Sequence, residues 1–461
     1  MKQNFYFKLG IIFSLILCLM LPQSFMLDLV GERQGWRLQA YQSIEQSWPG
    51  MQTVAGPLMS IPYHLSYNAK EKIIGADKKE TEIIKEVTVH DVLYIIPKQL
   101  NIDSKLESSL RYRGIYGVPV YTSTVQLKGE FSTKPLMDLI ARNKDYKISW
   151  DKPRISVLVG DQRGIATPPN LSWNGAKIAF QPGGNLPGTL AGMHVTVPDI
   201  NQEQETRIPF AFDMELHGMR SINFALLSEN TDVRLAANWP HPSFTGKLLP
   251  EKRDITGQGF NAQWRASSFS YDVSNAIERC RKGECLSLLE NAVGFDLIQP
   301  VDVYQQSERS IKYAELFIIL TFVALILFEL LKKIRIHPIQ YTLVGMALLV
   351  FYLLLVSLSE HIQFLLAYGI AAFGSTALLT FYFGAILRSG KLGAILGAGL
   401  SVLYVSLYVI LQAEESALLM GSLLLFIVLA ALMLTTRHFD WYALTGQSDT
   451  PSEIQQQLPE S

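Results

Sequence analysis

The feature that most constrains this chain is a series of long apolar segments towards its C-terminus. From Tyr313 to Thr436 almost every residue is apolar, and only short polar breaks interrupt the run. The hydrocarbon core of a bilayer, about 30 Å thick, is crossed by about 20 apolar helical residues. The pattern therefore predicts five membrane-spanning helices, at about 314–331, 338–358, 362–387, 392–412 and 415–436.

A further apolar segment lies near the N-terminus, from about Leu9 to Leu27, behind Lys2 and Lys8. A cleaved signal peptide is the alternative interpretation, and it would need small residues before the cleavage site. The segment ends in Leu21-Pro22-Gln23-Ser24-Phe25-Met26, which lacks that pattern. We therefore predict an uncleaved anchor and six spans in total.

Lys and Arg residues at the span ends predict the orientation, because cytoplasmic flanks carry an excess of them. Threading six spans places eight basic residues on one side, whereas the loops around Glu360 and Glu414 contain none. These eight are Lys2, Lys8, Lys332, Lys333, Arg335, Arg388, Lys391 and Arg437. We expect both termini in the cytoplasm and residues 29–312 on the other side of the membrane.

The predicted domains are an N-terminal membrane anchor (1–28), an extracytoplasmic β-rich domain (29–312), a five-span membrane domain (313–437) and a cytoplasmic tail (438–461). The 29–312 stretch carries 32 Lys and Arg against 31 Asp and Glu, as a soluble globular domain would. The net charge of the whole chain is -1. A protein that coats nucleic acid needs a basic surplus, so we expect no nucleic-acid partner.

Between the first two spans the pattern changes to short strands separated by turn signals. Ile155–Val159 and Ile222–Leu227 have strand character, and Pro182-Gly183-Gly184-Asn185 is a turn. This favours a β-rich domain of the antiparallel β-sandwich type. The charged stretch Lys70–Glu86 is predicted to be an exposed hairpin or loop. A last helix is predicted to run unbroken from Val303 into the second span.

Two cysteines form the most specific chemical feature of this domain. Cys280 and Cys285 bracket four residues in a compartment expected to be oxidising. We predict a disulfide between them, with two free thiols as the alternative. Cys18 lies inside the first span and has no partner on that side.

Catalytic and metal-binding motifs are not evident in the sequence. It contains no G-x-S-x-G, H-E-x-x-H, Walker loop or C-x-x-C pattern. We interpret His64 and His241 as surface or core histidines rather than metal ligands. We therefore expect no catalytic residue, no metal and no cofactor, and a protein that is not an enzyme.

The segment Trp239-Pro240-His241-Pro242-Ser243-Phe244 combines two prolines with two aromatic residues. Proline fixes the backbone, and aromatic side chains supply contact area. Trp239, Pro240, Pro242 and Phe244 therefore form either a rigid corner that buries the aromatics or an exposed contact surface.

The membrane segments offer little transport machinery. Glu315 and Glu329 lie near span ends, and we find no ionisable residue at a midplane. Gly393 and Gly397 form a G-x-x-x-G pattern, which we interpret as a helix-packing face rather than part of a pore.

Several ordered motifs of this chain resemble the bacterial CreD family. They are Glu32-Arg33 with Arg37, Ala40, Ile44 and Trp48; Gly56-Pro57 with Ile61-Pro62-Tyr63; Arg111 to Tyr116 with Val120-Tyr121; Trp239 to Phe244 with Gly246, Leu249-Pro250, Gly259-Phe260 and Trp264; Val301-Asp302 with Tyr304, Arg309 and Lys312-Tyr313-Ala314; and Asp440-Trp441-Tyr442. The resemblance runs from about Glu32 to Tyr442, although the stretch Lys70–Glu86 matches nothing in it. It implies a multipass inner-membrane protein of Gram-negative bacteria, linked to envelope integrity, colicin tolerance and the β-lactam response. It brings no catalytic residues.

Two classes of function remain open. The first is a non-enzymatic envelope protein that binds or scaffolds an unidentified periplasmic partner while anchored in the lipid bilayer. The second is a transporter or channel formed by the six spans, for which broken helices or charges near the midplane are typical.

The orientation can be tested with a reporter that is active only outside the cytoplasm. Fused after Glu414 it should be active, and fused after Lys391 it should be silent, because the two sites lie at opposite ends of one predicted span. The reverse pattern would contradict the six-span arrangement.

Overall fold

The computed structural model describes residues 2–74, 80–189, 191–298, 303–332, 334–413 and 416–437. The chain divides into two compact units. One, named the membrane unit, comprises Met1–Arg37 and Val301–Ser461, and the other, named the β-domain, is Leu38–Pro300. The predicted domain boundaries at residues 29 and 312 refer to the membrane surface and stay predictions.

The regular elements follow in chain order. The helices are α1 (Lys2–Ser47), α2 (Lys134–Arg142), α3 (Val273–Arg281), α4 (Val303–Lys312), α5 (Ala314–Lys332), α6 (Pro338–Ser359), α7 (Phe364–Ile386), α8 (Gly390–Gln412) and α9 (Ala417–Thr436). The strands are β1 (Gln52–Ile74), β2 (Glu80–Ile95), β3 (Gln99–Arg113), β4 (Tyr116–Ser132), β5 (Lys147–Trp150), β6 (Arg154–Leu158), β7 (Asn170–Trp173), β8 (Ala176–Ala179), β9 (Gln181–Pro182), β10 (Gly192–Thr196), β11 (Arg207–Met219), β12 (Ser221–Ala225), β13 (Asn230–Ala237), β14 (Pro242–Gly246), β15 (Lys252–Thr256), β16 (Gly259–Ser267) and β17 (Ala292–Leu297).

The strands of the β-domain form two sheets over one core, which confirms the predicted β-rich domain. The first has the order β14-β17-β12-β1-β6-β10-β9, with β2 and β5 also paired to β1. The second has the order β15-β16-β13-β3-β4-β11-β7-β8. Buried side chains from both sheets, such as Leu58 and Leu127, belong to one cluster. In β11, Phe210, Phe212 and Met214 are buried at alternate positions, as expected for a strand with one covered face.

The sheets are mixed rather than wholly antiparallel. Most pairs are antiparallel, but β1 runs parallel to β12, and β3 runs parallel to β13 over eight residue pairs from Gln99↔Asn230 to Leu106↔Ala237. Parallel neighbours need a long connection. The two strands of each parallel pair are far apart in the chain. The alternation of apolar and polar residues within one strand therefore does not identify its partner.

The predicted charged hairpin is present as the long pair β1 and β2. Their register runs from Met59↔Ile95 to Ile74↔Glu80, and residues 75–79 lie outside the described residues. On its other edge, β1 pairs with β5 only as far as Ser66↔Lys147. Beyond that point the hairpin continues as a two-stranded ribbon.

The end of α1, which belongs to the β-domain, is capped by an arginine. Arg163 donates hydrogen bonds to the carbonyl oxygens of Glu45 and Gln46, at 3.1 and 3.0 Å. These carbonyls belong to the last turn of the helix, which has no intrahelical donor for them. Asp161 binds Arg163 and accepts the backbone N–H of Gly50 at 3.0 Å. Trp48 adds a hydrogen bond from its indole nitrogen to the Gly218 carbonyl.

The membrane unit confirms the predicted six spans. Six helices are long and apolar enough to cross a membrane: Phe7–Ser47, Ala314–Lys332, Pro338–Ser359, Phe364–Ile386, Gly390–Gln412 and Leu418–Thr436. His337 caps α6 through a capping box with Gln340, and Pro338 takes the first helical position, where it needs no N–H partner.

The helix predicted to run from Val303 into the second span is present as α4 and α5, with the single residue Tyr313 between them. Hydrogen bonds from the Tyr313 N–H to the Arg309 carbonyl and from the Phe317 N–H to the Tyr313 carbonyl, each 3.2 Å long, continue the helical pattern through this residue. No Pro or Gly marks the site in the sequence. The amide of Gln23 on α1 donates a 3.0 Å hydrogen bond to the Ile311 carbonyl nearby. The Gln23 side chain of α1 therefore satisfies the backbone carbonyl of Ile311 in α4.

The G-x-x-x-G pattern packs α8 against α7, which confirms the packing interpretation. A Cβ atom on Gly393 would lie 2.6 Å from the Gly384 backbone nitrogen. One on Gly397 would lie 2.0 Å from the Thr380 hydroxyl oxygen. Neither helix has room for a larger side chain there, because both distances are far inside van der Waals contact.

Replacing Gly397 by Leu should therefore destabilise the membrane unit, with an overpacking cost of about 1–3 kcal/mol. Thermal unfolding of the purified protein in detergent measures the change. Gly399→Leu is the matched control, because a Cβ at that glycine has no neighbour within 4 Å. Equal melting temperatures for the two variants would contradict the packing assignment.

Candidate functional site

The cysteine pair lies at the end of α3, within the core of the β-domain. Asp272 begins this helix by accepting the Asn275 backbone N–H at 2.9 Å. Cys280 and Cys285 are both fully buried and are joined as a disulfide. The closed loop fixes Arg281, the next residue after Cys280, at the domain surface.

Arg281 binds Asp91 of β2 through both carboxylate oxygens. Tyr63 of β1 donates its hydroxyl to the same carboxylate at 3.1 Å, and the Val92 backbone N–H donates at 2.8 Å. Burial by itself would raise the pKa of Asp91, but the hydrogen bonds from Arg281 and Val92 hold it below the usual value. Burial, followed by the Asp91 charge, raises the pKa of Tyr63. This network ties the base of the β1–β2 hairpin to the disulfide helix.

A cleft of about 720 Å³ opens beside this network, between the end of β2 and α2. Its rim carries both signs of charge, and its floor is apolar. The basic residues are Lys98, Lys134, Arg142 and Arg281; the acidic residues are Asp138, Glu205 and Glu229; the apolar residues include Leu93, Tyr94, Ile96 and Leu139. We name this cleft the charged cleft.

Two properties make the charged cleft suited to binding. Arg281 is neutralised by Asp91, but Lys98, Lys134 and Arg142 form no ion pair with any described residue. In addition, β2 has one strand neighbour, β1, within the described part of the chain, so its other edge pairs with no described strand. Such cations and a strand edge of this kind can both be satisfied by a polar ligand.

A second, larger depression of about 850 Å³ lies on the outer face of the eight-stranded sheet. Some of its charges are paired within the sheet, whereas Lys105, Lys252 and Arg253 form no ion pair with any described residue. Arg234 lies 3.8 Å from Asp103, and Gln126 donates to Asp213 at 2.7 Å. Exposed pairs of this kind are typical of a solvated sheet face.

The Trp239–Phe244 segment packs its aromatic residues against the core. The Trp239 indole nitrogen donates to the carbonyls of His241 and Ile298, each at 3.1 Å. Phe244 lies in β14 and makes edge-to-face contacts with Phe260 and Trp264. Both aromatics are half-buried, and His241, between Pro240 and Pro242, is exposed.

The membrane unit contains polar contacts that the sequence analysis does not single out. At one end of the bundle, Lys8 binds Glu329, whose carboxylate also accepts the Tyr341 hydroxyl at 3.0 Å. Elsewhere, Glu360 lies 3.5 Å from Arg33 and accepts the Tyr304 hydroxyl at 3.2 Å. The sequence indicates Glu329 and Glu360 only as residues at span ends, because their partners are remote in the chain.

The interior of the bundle also holds polar atoms without a partner. The Gln23 side-chain oxygen and the hydroxyls of Ser307 and Ser310 are buried and accept or donate no hydrogen bond among the described residues. A buried polar group without a partner is costly. All three lie on α1 and α4, the helices that meet near Tyr313.

No group of three or more His, Cys, Asp or Glu side chains converges as a metal site among the described residues. A model of the family described as "Inner membrane protein CreD" matches residues 4–442. The chain belongs to the CreD family. It is 33% identical over 448 residues to the inner membrane protein CreD of Escherichia coli (strain K12), with 96% of this chain and 95% of that protein covered. The family resemblance inferred from the sequence motifs is thereby confirmed.

Two solved structures of the M1 zinc metallopeptidase of Deinococcus radiodurans, one of a mutant and one of the unmutated enzyme, show slight similarity. Each is 10% identical, covers 37% of this chain and 38% of its own, and has a TM-score of 0.19. So low a score carries no argument about the fold or activity of this CreD protein.

The disulfide between Cys280 and Cys285 stays a prediction for the protein in its native envelope. Thiol labelling without reductant should leave both cysteines unmodified, and labelling after reduction and unfolding should modify both. The loop is short, so its loss should cost at most about 2–3 kcal/mol. Free labelling of either cysteine in unreduced material taken from the envelope would show the pairing to be wrong.

The corner interpretation predicts that Trp239→Ala and Phe244→Ala lower the amount of folded protein. Each removes a half-buried aromatic from the core edge, at a cost of about 2–3 kcal/mol, less than for full burial. His241→Ala is the control, because that side chain is exposed. Normal protein levels with lost envelope function would instead support the contact-surface interpretation.

Proposed function

We propose that this CreD protein supports the integrity of the bacterial cell envelope as a non-catalytic binding protein of the inner membrane. Its β-domain lies in the periplasm and holds a polar envelope component in the charged cleft. The observation that carries the proposal is a cleft of about 720 Å³ lined by Lys98, Lys134 and Arg142, which form no ion pair with any residue that the structure describes. The cleft lies beside an edge of β2 that pairs with no described strand.

The charges of the cleft define the class of ligand. Lys98, Lys134 and Arg142 face three carboxylates, those of Asp138, Glu205 and Glu229. A ligand that carries anionic and cationic groups on an extended backbone would satisfy both sets, and its backbone would pair with that edge of β2. A peptide, free or as part of a larger envelope polymer, has this chemistry.

The basic flanks of the spans support a periplasmic location, because all eight agree on cytoplasmic termini. A Cys280–Cys285 disulfide is also typical of an oxidising compartment. Colicin tolerance and the β-lactam response belong to the same proposal, since both depend on the state of the envelope.

The test is a double variant, Lys98→Glu with Arg142→Glu, expressed in a strain that lacks its own CreD protein. Reversal of these two charges should remove envelope function, measured as sensitivity to detergent and β-lactam, while membrane levels stay normal. Lys177→Glu is the matched control, because it reverses an exposed charge on β8, away from the cleft.

Full envelope function of the folded double variant would show that the cleft is not the binding site. Turnover of an envelope substrate by the purified protein, abolished by one acid or base substitution, would overturn the non-catalytic assignment.

A transporter or channel is the second candidate, and the buried polar groups near Tyr313 favour it. Buried polar groups line the substrate paths of many transporters. Gln23, Ser307 and Ser310 supply such groups here.

The two candidates respond differently to Gln23→Leu, which removes the buried amide at similar volume. For a binding protein the variant keeps envelope function once it is folded, whereas the charged-cleft double variant loses it. For a transporter the Gln23→Leu protein loses function at normal levels. Flux of protons or potassium ions into dye-loaded liposomes that contain the protein then identifies a path directly.

A further inference from the structure

Two histidines meet at the base of the β1–β2 hairpin. His64 and His90 are directly paired in the register of the two strands. Their Nδ1 atoms face each other in contact, and the ring centroids lie 4.4 Å apart with the planes nearly perpendicular. Directly opposed residues have Cβ atoms about 4.5–5.5 Å apart, close enough for two imidazoles to bind one ion.

A carboxylate lies behind one of the two rings. Asp151 Oδ2 is 3.6 Å from His64 Nε2, the nitrogen that faces away from His90, which is beyond hydrogen-bond distance but within reach of a small rotation of the exposed Asp151 side chain. The position of Asp151 is fixed by its backbone N–H, which donates to the Pro62 carbonyl at 2.9 Å. A metal-binding histidine usually offers its second ring nitrogen to a carboxylate of this kind.

We infer that His64 and His90 form a binding site for a divalent transition-metal ion, with Asp151 orienting His64. Imidazole nitrogen suits Zn²⁺ and Cu²⁺, whereas Mg²⁺ and Ca²⁺ prefer oxygen. Metal–nitrogen bonds of about 2.0–2.1 Å at a tetrahedral angle place the two nitrogens about 3.3 Å apart. Small rotations of two partly exposed side chains reach that separation.

The strands around the pair are rigid enough to hold such a site. His64 is paired with His90 on one side and with Ser149 of β5 on the other, so it lies on the middle of three strands. Two protein ligands leave the remaining coordination positions to water or to a bound molecule. The ion would join β1 and β2 where the hairpin leaves the sheet.

The experiment uses the full-length, tag-free protein in detergent and titrates it with ZnCl₂ or CuCl₂ by calorimetry. We expect one ion per chain and no response to MgCl₂. His64→Ala or His90→Ala should weaken the affinity at least tenfold, and Asp151→Asn should weaken it about tenfold. His241→Ala is the control, an exposed histidine with no histidine neighbour, and should bind as the parent does.

Hydrogen exchange provides a second readout. Zn²⁺ should slow exchange of the β2 backbone around residues 84–95 in the parent and leave the His90→Ala protein unchanged. The inference is overturned if neither ion binds at one site per chain, or if His90→Ala binds as tightly as the parent. In a third outcome, the hairpin of His90→Ala exchanges faster than that of the parent, and added Zn²⁺ changes exchange in neither protein. That result would show that the two histidines form only a hydrogen bond. None of these outcomes depends on the charged cleft.

Discussion

The β-domain depends on the way in which its entering helix ends. A helix leaves its last carbonyls without donors, and in α1 the guanidinium of Arg163 supplies two of them, to Glu45 and Gln46. Hydrogen bonds from Arg163, opposed by burial and assisted by the Gly50 N–H, lower the pKa of Asp161 to about 2. The folded-state pKa lies below the ordinary value, so this contribution to stability is present above about pH 4 and is lost as the pH falls towards 2. The connection is therefore intact throughout the physiological range.

Hydropathy was sufficient to predict where the membrane spans lie, but not the irregularity or the polar contacts between their helices. The predicted spans 314–331 and 338–358 correspond to α5 and α6 within a residue, because a bilayer sets both the length and the polarity of a crossing helix. The irregularity at Tyr313 could not be predicted, since neither Pro nor Gly marks it. It is accompanied by a hydrogen bond between Gln23 and Ile311, which are 288 residues apart. Local sequence contains the propensity of a segment but not the contact that another helix makes with it.

The candidate site was predictable in its parts and not in its assembly. Cys280 and Cys285 are close in sequence, so their spacing and the expected oxidising compartment together indicated the pairing. Lys98, Arg142 and Glu229, by contrast, come from three separate segments of the chain and meet only because α2 lies beside the end of β2. The sequence analysis interpreted His64 as a surface or core histidine. Without the register between β1 and β2, nothing in the sequence places another histidine opposite it.

The two proposed sites share one strand and face opposite sides of it. His90 and Asp91 are adjacent in β2, and successive side chains point to opposite faces, so His90 meets His64 while Asp91 meets Arg281 at the cleft. Coupling between the sites would require two discrete arrangements of the strand. The continuous register from Met59↔Ile95 to Ile74↔Glu80 specifies a single arrangement of the strand. A one-residue slip would exchange the two faces of β2 and break the contacts of His90 with His64 and of Asp91 with Arg281. Metal binding and cleft binding should therefore act independently, with additive effects when both are altered.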